Sequence, residues 1–296
     1  MPGLLMQIGY LGVVVFIITS MLVMGLNVSI HDLLSPLRNR RLVVTSLLAN
    51  FMVVPLFAFI LIYIFPMSKE LAAGLILVSI AAGAPSTPKV AEFTGGNIAY
   101  AVSLTLLMTI ITIVLMPLLV PYIMEGAGMD PTKVALNLVV FMLVPIIAGI
   151  LLLDQAPKLA RRLLPVAELV SNVAIGVIFL SFGIIFYAHL KDLFGGPEGL
   201  GIAFIAVLFT VGALLIGYFM GGPDRENRGV LAFGTGFRNI TAALVVITAS
   251  YSDMSNDVLL MVLMVTIFSV IIVSAIVGLI MKKRMDTEQE SRGMGS

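Results

Sequence analysis

The hydrophobic positions of this chain form long runs, and most of the charged positions fall between them. Divided at its charged and Pro/Gly-rich interruptions, the sequence offers nine apolar stretches: 8–29, 42–66, 70–94, 97–124, 132–154, 163–189, 198–220, 227–251 and 258–281. About 20 mostly apolar helical residues cross the hydrocarbon core of a bilayer. The pattern therefore predicts an all-α polytopic membrane protein with nine transmembrane helices. The first run lacks a basic leading segment and is longer than a signal-peptide core, so it is expected to remain as a span. A polar tail is expected over 285–296.

The cations test the count. Cytoplasmic segments carry the excess of Lys and Arg. With the N-terminus outside, the inner segments hold Arg38, Arg40, Arg41, Lys158, Arg161, Arg162, Arg225, Arg228, Lys282, Lys283, Arg284 and Arg292. The outer segments hold only Lys69, Lys133 and Lys191. That asymmetry predicts a multi-pass protein of the cell membrane, N-terminus outside and C-terminus cytoplasmic. Composition agrees: 60% of the 296 residues are hydrophobic and 11% charged, and mean hydropathy is +1.13. These values exclude a soluble enzyme, a nucleic-acid binder and a disordered chain. There is no Cys, hence no thiolate metal site or cysteine nucleophile.

Two of the nine stretches cannot be plain helices. The third contains Gly83-Ala84-Pro85-Ser86-Thr87-Pro88-Lys89. Pro85 and Pro88 each remove a backbone donor and clash with the preceding turn, at about 3 kcal/mol or more in a helix interior. The eighth contains Gly234-Thr235-Gly236-Phe237-Arg238-Asn239, where Gly234 and Gly236 weaken the helix at mid-depth. Open backbone inside a membrane is tolerated only where it is buried in protein or lines a cavity. Spans three and eight run in opposite directions, and paired broken helices in inverted halves point to a transporter's binding site. Each break also carries a cation, Lys89 or Arg238, which costs about 2.5–3.5 kcal/mol at a helix centre. Glu92 is a local partner for Lys89 at i,i+3 spacing. Arg238 has no acid in its own span, and Glu168, with Asn172 one turn on, is a candidate.

At these segments the sequence resembles the bile acid:sodium symporter family, from Gly25-Leu26-Asn27 to the ninth span. The matching features are Gly83 to Lys89 followed by Gly96-Asn97, the stretch Gly234 to Asn239, and Asn50-Phe51 with Pro55. The resemblance implies an inverted-repeat transporter fold with two broken, crossed helices, in a nine-helix form. It also implies a panel domain (about 8–66 and 132–189 in part) and a core domain (about 70–124 and 198–281).

The departures carry the functional expectation. The family holds two sodium ions behind the crossed helices. Here the position of its acid is Gly234, that of its Gln is Arg238, and that of its Asn in the first break is Lys89. Of two following hydroxyl positions, one is Ala101 and the other survives as Thr105. A site that loses a carboxylate and gains two cations repels sodium. Lys89 and Arg238 are therefore expected in the places of the two ions, giving sodium-independent transport. A proton-linked cycle would favour Lys89, since Lys shifts its protonation readily on burial and Arg does not.

The resemblance implies a small organic anion as substrate. Half-helix N-termini suit an anion, and Ser86, Thr87, Asn239 and Thr241 are the expected donors, with Asn27 and Asn50 on the panel side. His31 and His189 fall at span ends and read as interfacial, Pro117 and Pro121 as kinks in the fourth span. No nucleotide-binding loop, metal-ligand cluster or catalytic set appears, so neither cofactor nor enzyme activity is expected. A sodium-coupled organic anion symporter and a passive anion channel are the alternatives.

Overall fold

The computed structural model describes residues 2–28, 39–123, 130–185, 197–249 and 256–293. His31 and His189 lie outside these. The described residues are helical, with no strand among them. The helices are α1 Pro2–Leu26, α2 Arg40–Ile64, α3 Lys69–Ile80, α4 Thr87–Thr94, α5 Ile98–Ile123, α6 Pro131–Gln155, α7 Pro157–Ile185, α8 Pro197–Met220, α9 Arg225–Gly236, α10 Ile240–Ala249 and α11 Asn256–Gly293. Eight segments among the described residues are long and apolar enough to cross a membrane, with α9 and α10 together forming one of them. The third expected span is not among the eight, because it is two short helices, α3 and α4. These have 12 and 8 residues, or about 18 and 12 Å at 1.5 Å per residue. Their sum matches the roughly 30 Å hydrocarbon core.

Local chemistry sets the ends. Ser68 accepts from Leu71 N at 3.2 Å, Asp130 from Thr132 N at 2.9 Å, and Asp224 from Glu226 N at 3.1 Å. Each caps the helix that follows it. The backbone bond from Thr132 is the main cause holding the Asp130 carboxyl below its ordinary range. Proline shapes the interiors. Pro55 and Pro145 lack an N–H, and just before each the helix widens into a π turn, Ala49–Val53 and Val139–Leu143. Pro117 and Pro121 lie inside the unbroken α5.

The first half of α6 packs on α5 and α10. α1 lies along α7 and the second half of α6. Gly25 and Gly149 let α1 and α6 touch backbone to backbone: a Cβ on Gly149 would lie 2.7 Å from Leu22 O. Elsewhere α3 packs on α11, α8 on α9 and α11, and α4 on α5, α9 and α11. α2 was grouped with the panel over 8–66, yet it packs on α3 and α8. Its Pro-bearing half, with Val54, Ala58 and Leu61 buried, is part of the main apolar core. The tail expected from 285 continues α11 as helix to Gly293.

One glycine fixes the first break. Gly83 has φ +87°, and a Cβ there would lie 2.6 Å from Thr109 N and 2.7 Å from Thr105 O. Left-handed backbone costs a side-chain-bearing residue about 1–2 kcal/mol, and the neighbours here are backbone that cannot retreat. Gly83→Ala is expected to destabilise the detergent-solubilised protein by more than about 2 kcal/mol. Gly278→Ala, with open space around it, is expected to leave the melting temperature unchanged or higher. Thermal unfolding of the two variants side by side checks both.

Candidate functional site: two crossed helix breaks

The backbone of the first break, residues 81–86, leaves the helix inside the protein. Its polar groups must therefore find partners. Asn239 N–H donates to Ala81 O at 2.8 Å. The Thr112 hydroxyl donates to Ala82 O and accepts from Ala82 N, both at 3.1 Å. Gly83 O accepts from Thr109 Oγ1 and from Asn239 Nδ2, each at 3.0 Å. Thr87 N donates to Ala84 O at 3.1 Å. Every carbonyl from Ala81 to Ala84 thus has a donor. Pro85 occupies the turn, and Pro88 stands in the first turn of α4, where no N–H is needed.

The second break, Phe237 to Asn239, lies against the first. Asn239 does two things: its backbone and amide nitrogens hold the first break, and its Oδ1 caps α10 by accepting from Ala242 N at 3.2 Å. Thr235, in the last turn of α9, donates to Ala213 O on α8 at 2.7 Å. Gly236 ends α9 with Leu214 packed where a Cβ would stand.

Arg238 joins the two breaks. It is 6% exposed. Its Nε donates to Val78 O at 3.1 Å and its Nη2 to Ser79 O, two carbonyls in the last turn of α3. Nη1 donates to Thr235 O at 3.4 Å, in the last turn of α9, and to Asn50 Oδ1 at 2.8 Å. Asn50 sits in the π turn of α2, its amide donating to Ser46 O at 3.0 Å. Helix C-termini carry partial negative charge. One guanidinium therefore serves two C-terminal ends at once. The charge is buried and its four bonds go to uncharged oxygens, three backbone carbonyls and the Asn50 amide, with no carboxylate among them. Glu168 and Asn172 are exposed on α7, and none of the four bonds goes to them.

Lys89 does not join this cluster, contrary to expectation. Its Nζ lies 2.8 Å from Glu92 Oε2, the side chains are 62% and 53% exposed, and it stands 5.1 Å from the Phe93 ring centroid. The local i,i+3 pair satisfies it, so it never reaches the crossing. The other expected residues divide as follows. Ser86 and Asn27 are exposed, Asn27 donating back to Val23 O at 3.0 Å. Thr241 is buried against Ser20 of α1, hydroxyl to hydroxyl at 3.2 Å. Thr87 and Thr105 are buried, and neither hydroxyl has a hydrogen-bond partner. Gly234 faces them from α9: a Cβ there would lie 3.7 Å from Thr87 Cγ2 and 3.3 Å from Leu104 Cδ2. Thr109 and Thr112, which hold the first break, escaped sequence reasoning. With Thr105 they recur at spacings of four and three, one face of α5, and that stripe was the available signal.

Two broken helices crossed inside a bundle of apolar spans define a polytopic membrane protein of the transporter type. The family model described as "Sodium Bile acid symporter family" matches residues 14–193, and the chain belongs to that family. Arg238 and the second break lie beyond the matched segment. Among curated relatives, the chain is 25% identical over 245 residues to "P3 protein" of Homo sapiens, covering 79% of this chain and 50% of that one. It is 28% identical over 201 residues to "Probable sodium/metabolite cotransporter BASS2, chloroplastic" of Oryza sativa subsp. japonica, covering 68% and 47%. It is 24% identical over 250 residues to "Uncharacterized sodium-dependent transporter YocS" of Bacillus subtilis (strain 168), covering 83% and 74%. The chain spans about half the length of the first two.

The contrast between the two cations is measurable. Arg238→Leu strands the acceptors Ser79 O and Asn50 Oδ1, at about 1–3 kcal/mol each where water cannot replace the donor, and leaves Val78 O with Ala81 N alone. Asn50→Leu is expected to cost about 1.5–3 kcal/mol, the range for a hydrogen bond to a charged group. Lys89→Gln should cost under about 1 kcal/mol, as exposed pairs do. Melting temperatures in one detergent should rank them in that order.

Proposed function

We propose that the protein is a secondary transporter of a small organic anion, working by alternating access and without sodium. The observation that carries this reading is the Arg238 guanidinium, bonded to the C-terminal carbonyls of both broken spans. A fixed positive charge there does what a bound cation would do: it neutralises two helix ends and ties them together. Sodium seeks several oxygen ligands and negative charge. At this crossing the carbonyls of Val78, Ser79 and Thr235 already accept from Arg238, and Gly234 supplies no carboxylate. These residues do not fit a sodium ion. The "sodium" in the names of the cotransporter relatives favours the alternative, a sodium-coupled symporter, and the Arg238 geometry argues against it here. Lys89, held outside by Glu92, has no share in the replacement.

On this reading α1, α6 and α7 form one moving unit, and α2 to α5 with α8 to α11 form the other. The site lies where the breaks face the first unit. Arg238 has four of its five N–H donors engaged, so it acts on a substrate through its field and not by direct bonds. Ser86, exposed beside the start of α4, and Asn27 at the end of α1 are the donors left open to a substrate, with Thr87 and Thr241 behind them. The membrane is the cell membrane, with the N-terminus outside and the arginine-rich ends inside.

Uptake of small carboxylates into proteoliposomes, with sodium and with choline at equal ionic strength, tests the proposal. Equal rates are expected for wild type. The Gly234→Glu/Arg238→Gln variant, which restores a carboxylate and frees the carbonyls, is expected to need sodium. Wild-type uptake that vanishes in choline would overturn the reading.

A further inference from the structure

Three spanning segments end together at one face of the bundle: α2 begins at Arg40, α8 ends at Met220 and α9 begins at Arg225. Between them lies a cavity of about 340 Å³. Its walls are held by specific bonds. The turn from α8 to α9 carries Gly222 at φ +82°, a left-handed position that glycine adopts without strain. Arg228 Nε donates to Gly222 O at 2.6 Å, and its guanidinium stands 5.4 Å from the Tyr218 ring centroid. Asn39 caps α2 and Asp224 caps α9, their Oδ1 atoms accepting from Leu42 N at 3.2 Å and Glu226 N at 3.1 Å. Leu42 and Met220 give the cavity apolar walls. Arg41 and Asp224 give it one charge of each sign, yet they form no ion pair with each other. Asn227, one turn into α9, also lines it, and its Oδ1 has no hydrogen-bond partner.

We infer that this cavity holds the phosphoethanolamine head of a membrane phospholipid. That head is a zwitterion: a phosphate that only accepts hydrogen bonds and a primary ammonium that only donates them. Arg41 matches the phosphate, because guanidinium and phosphate pair through two parallel N–H bonds. The second carboxylate oxygen of Asp224 matches the ammonium. Asn227 Oδ1 is a further acceptor for its three N–H donors once the amide turns toward the cavity. A plain anion would meet Asp224 as well as Arg41, and a plain cation the reverse. A group that carries both signs offsets both. Position argues for a lipid over a free solute. The cavity lies at the ends of three spans, which is headgroup level, and pockets of this kind between membrane helices take lipid heads. An exposed apolar stripe leads away from it along α8: Phe219, Leu215 and Val211, at spacings of four, are 73%, 49% and 38% exposed. The stripe is a track of about 12 Å for an acyl chain, and a solute without chains has no use for it.

The test is thermal unfolding of the full-length protein in detergent, with short-chain phospholipids added at equal molarity. Phosphatidylethanolamine is expected to raise the melting temperature saturably. Phosphatidylcholine, whose quaternary ammonium has no N–H, is expected to raise it less. Soluble phosphoethanolamine, the head without its chains, is expected to do nothing at the same concentrations. Asp224→Asn removes the charge and keeps the cap, because Asn serves at that position as well as Asp does. It is expected to abolish the preference for ethanolamine over choline. Arg41→Gln, at an exposed position, is expected to lose the response to both lipids. Should either variant fail to fold, native mass spectrometry of the wild type decides: one phosphatidylethanolamine is expected to stay bound where phosphatidylcholine and phosphatidylglycerol are lost. Equal shifts with the ethanolamine and choline lipids overturn the inference. So does an equal or larger shift with anionic phosphatidylglycerol, which would leave only a basic surface, and so does a wild-type response in both variants. A shift of the same size with soluble phosphoethanolamine overturns the lipid assignment and leaves a solute site.

Discussion

The guanidinium of Arg238 is the constraint on which the core depends. A helix broken in mid-membrane exposes carbonyls at its end, and the bilayer offers nothing to satisfy them. Here two such ends, those of α3 and α9, meet on one side chain. Desolvating a guanidinium is expensive, and that cost is normally offset by a carboxylate. In this protein four oxygens share the task, three of them backbone. The fork geometry of arginine makes this possible, because its donors diverge in one plane. Asn50, fixed by a widened turn of α2, completes the set and draws a third span into the junction.

Around that junction the polar accounting is close to complete. The first break gives up helical bonding over several residues, yet every carbonyl from Ala81 to Ala84 is recovered. Thr112 treats Ala82 as a neighbouring strand would, accepting and donating at once. Asn239 binds the first break through its backbone and amide nitrogens and starts α10 with its Oδ1.

Much of this was legible in the chain. Apolar runs gave the spans, proline and glycine marked the breaks, and the burial of Arg238 followed from its place in an apolar stretch without an acid. Lys89 was misjudged for a physical reason. Both cations sit beside a break, but only Lys89 has a carboxylate three residues away on its own helix, and a local pair forms before a distant cluster can. The packing partners of α2 were not legible. Span order along the chain does not tell which neighbour a helix packs on, and α2 meets α8 through residues such as Phe57, stacked on Phe209 with ring centroids 6.4 Å apart, that look no different from lipid-facing ones. The threonine stripe of α5 was visible as spacing, but its use depends on an extended backbone segment that spacing cannot reveal.

The contact between α1 and the crossing has a mechanical consequence. It is made by Ser20 against Thr241 at 3.2 Å and by Met24 Sδ against the Thr109 hydroxyl at 3.9 Å. Ser20 also has Ile17 O within its own helix at 3.1 Å, and Thr109 has Thr105 O at 2.9 Å. When this seam parts, Ser20 and Thr109 keep those acceptors in their own helices, Thr241 gives up its hydroxyl partner, and no charge is pulled from a counter-charge. On the alternating-access reading, the seam would part at the cost of one hydroxyl bond and its apolar contacts, while the arginine junction behind it keeps its own four bonds.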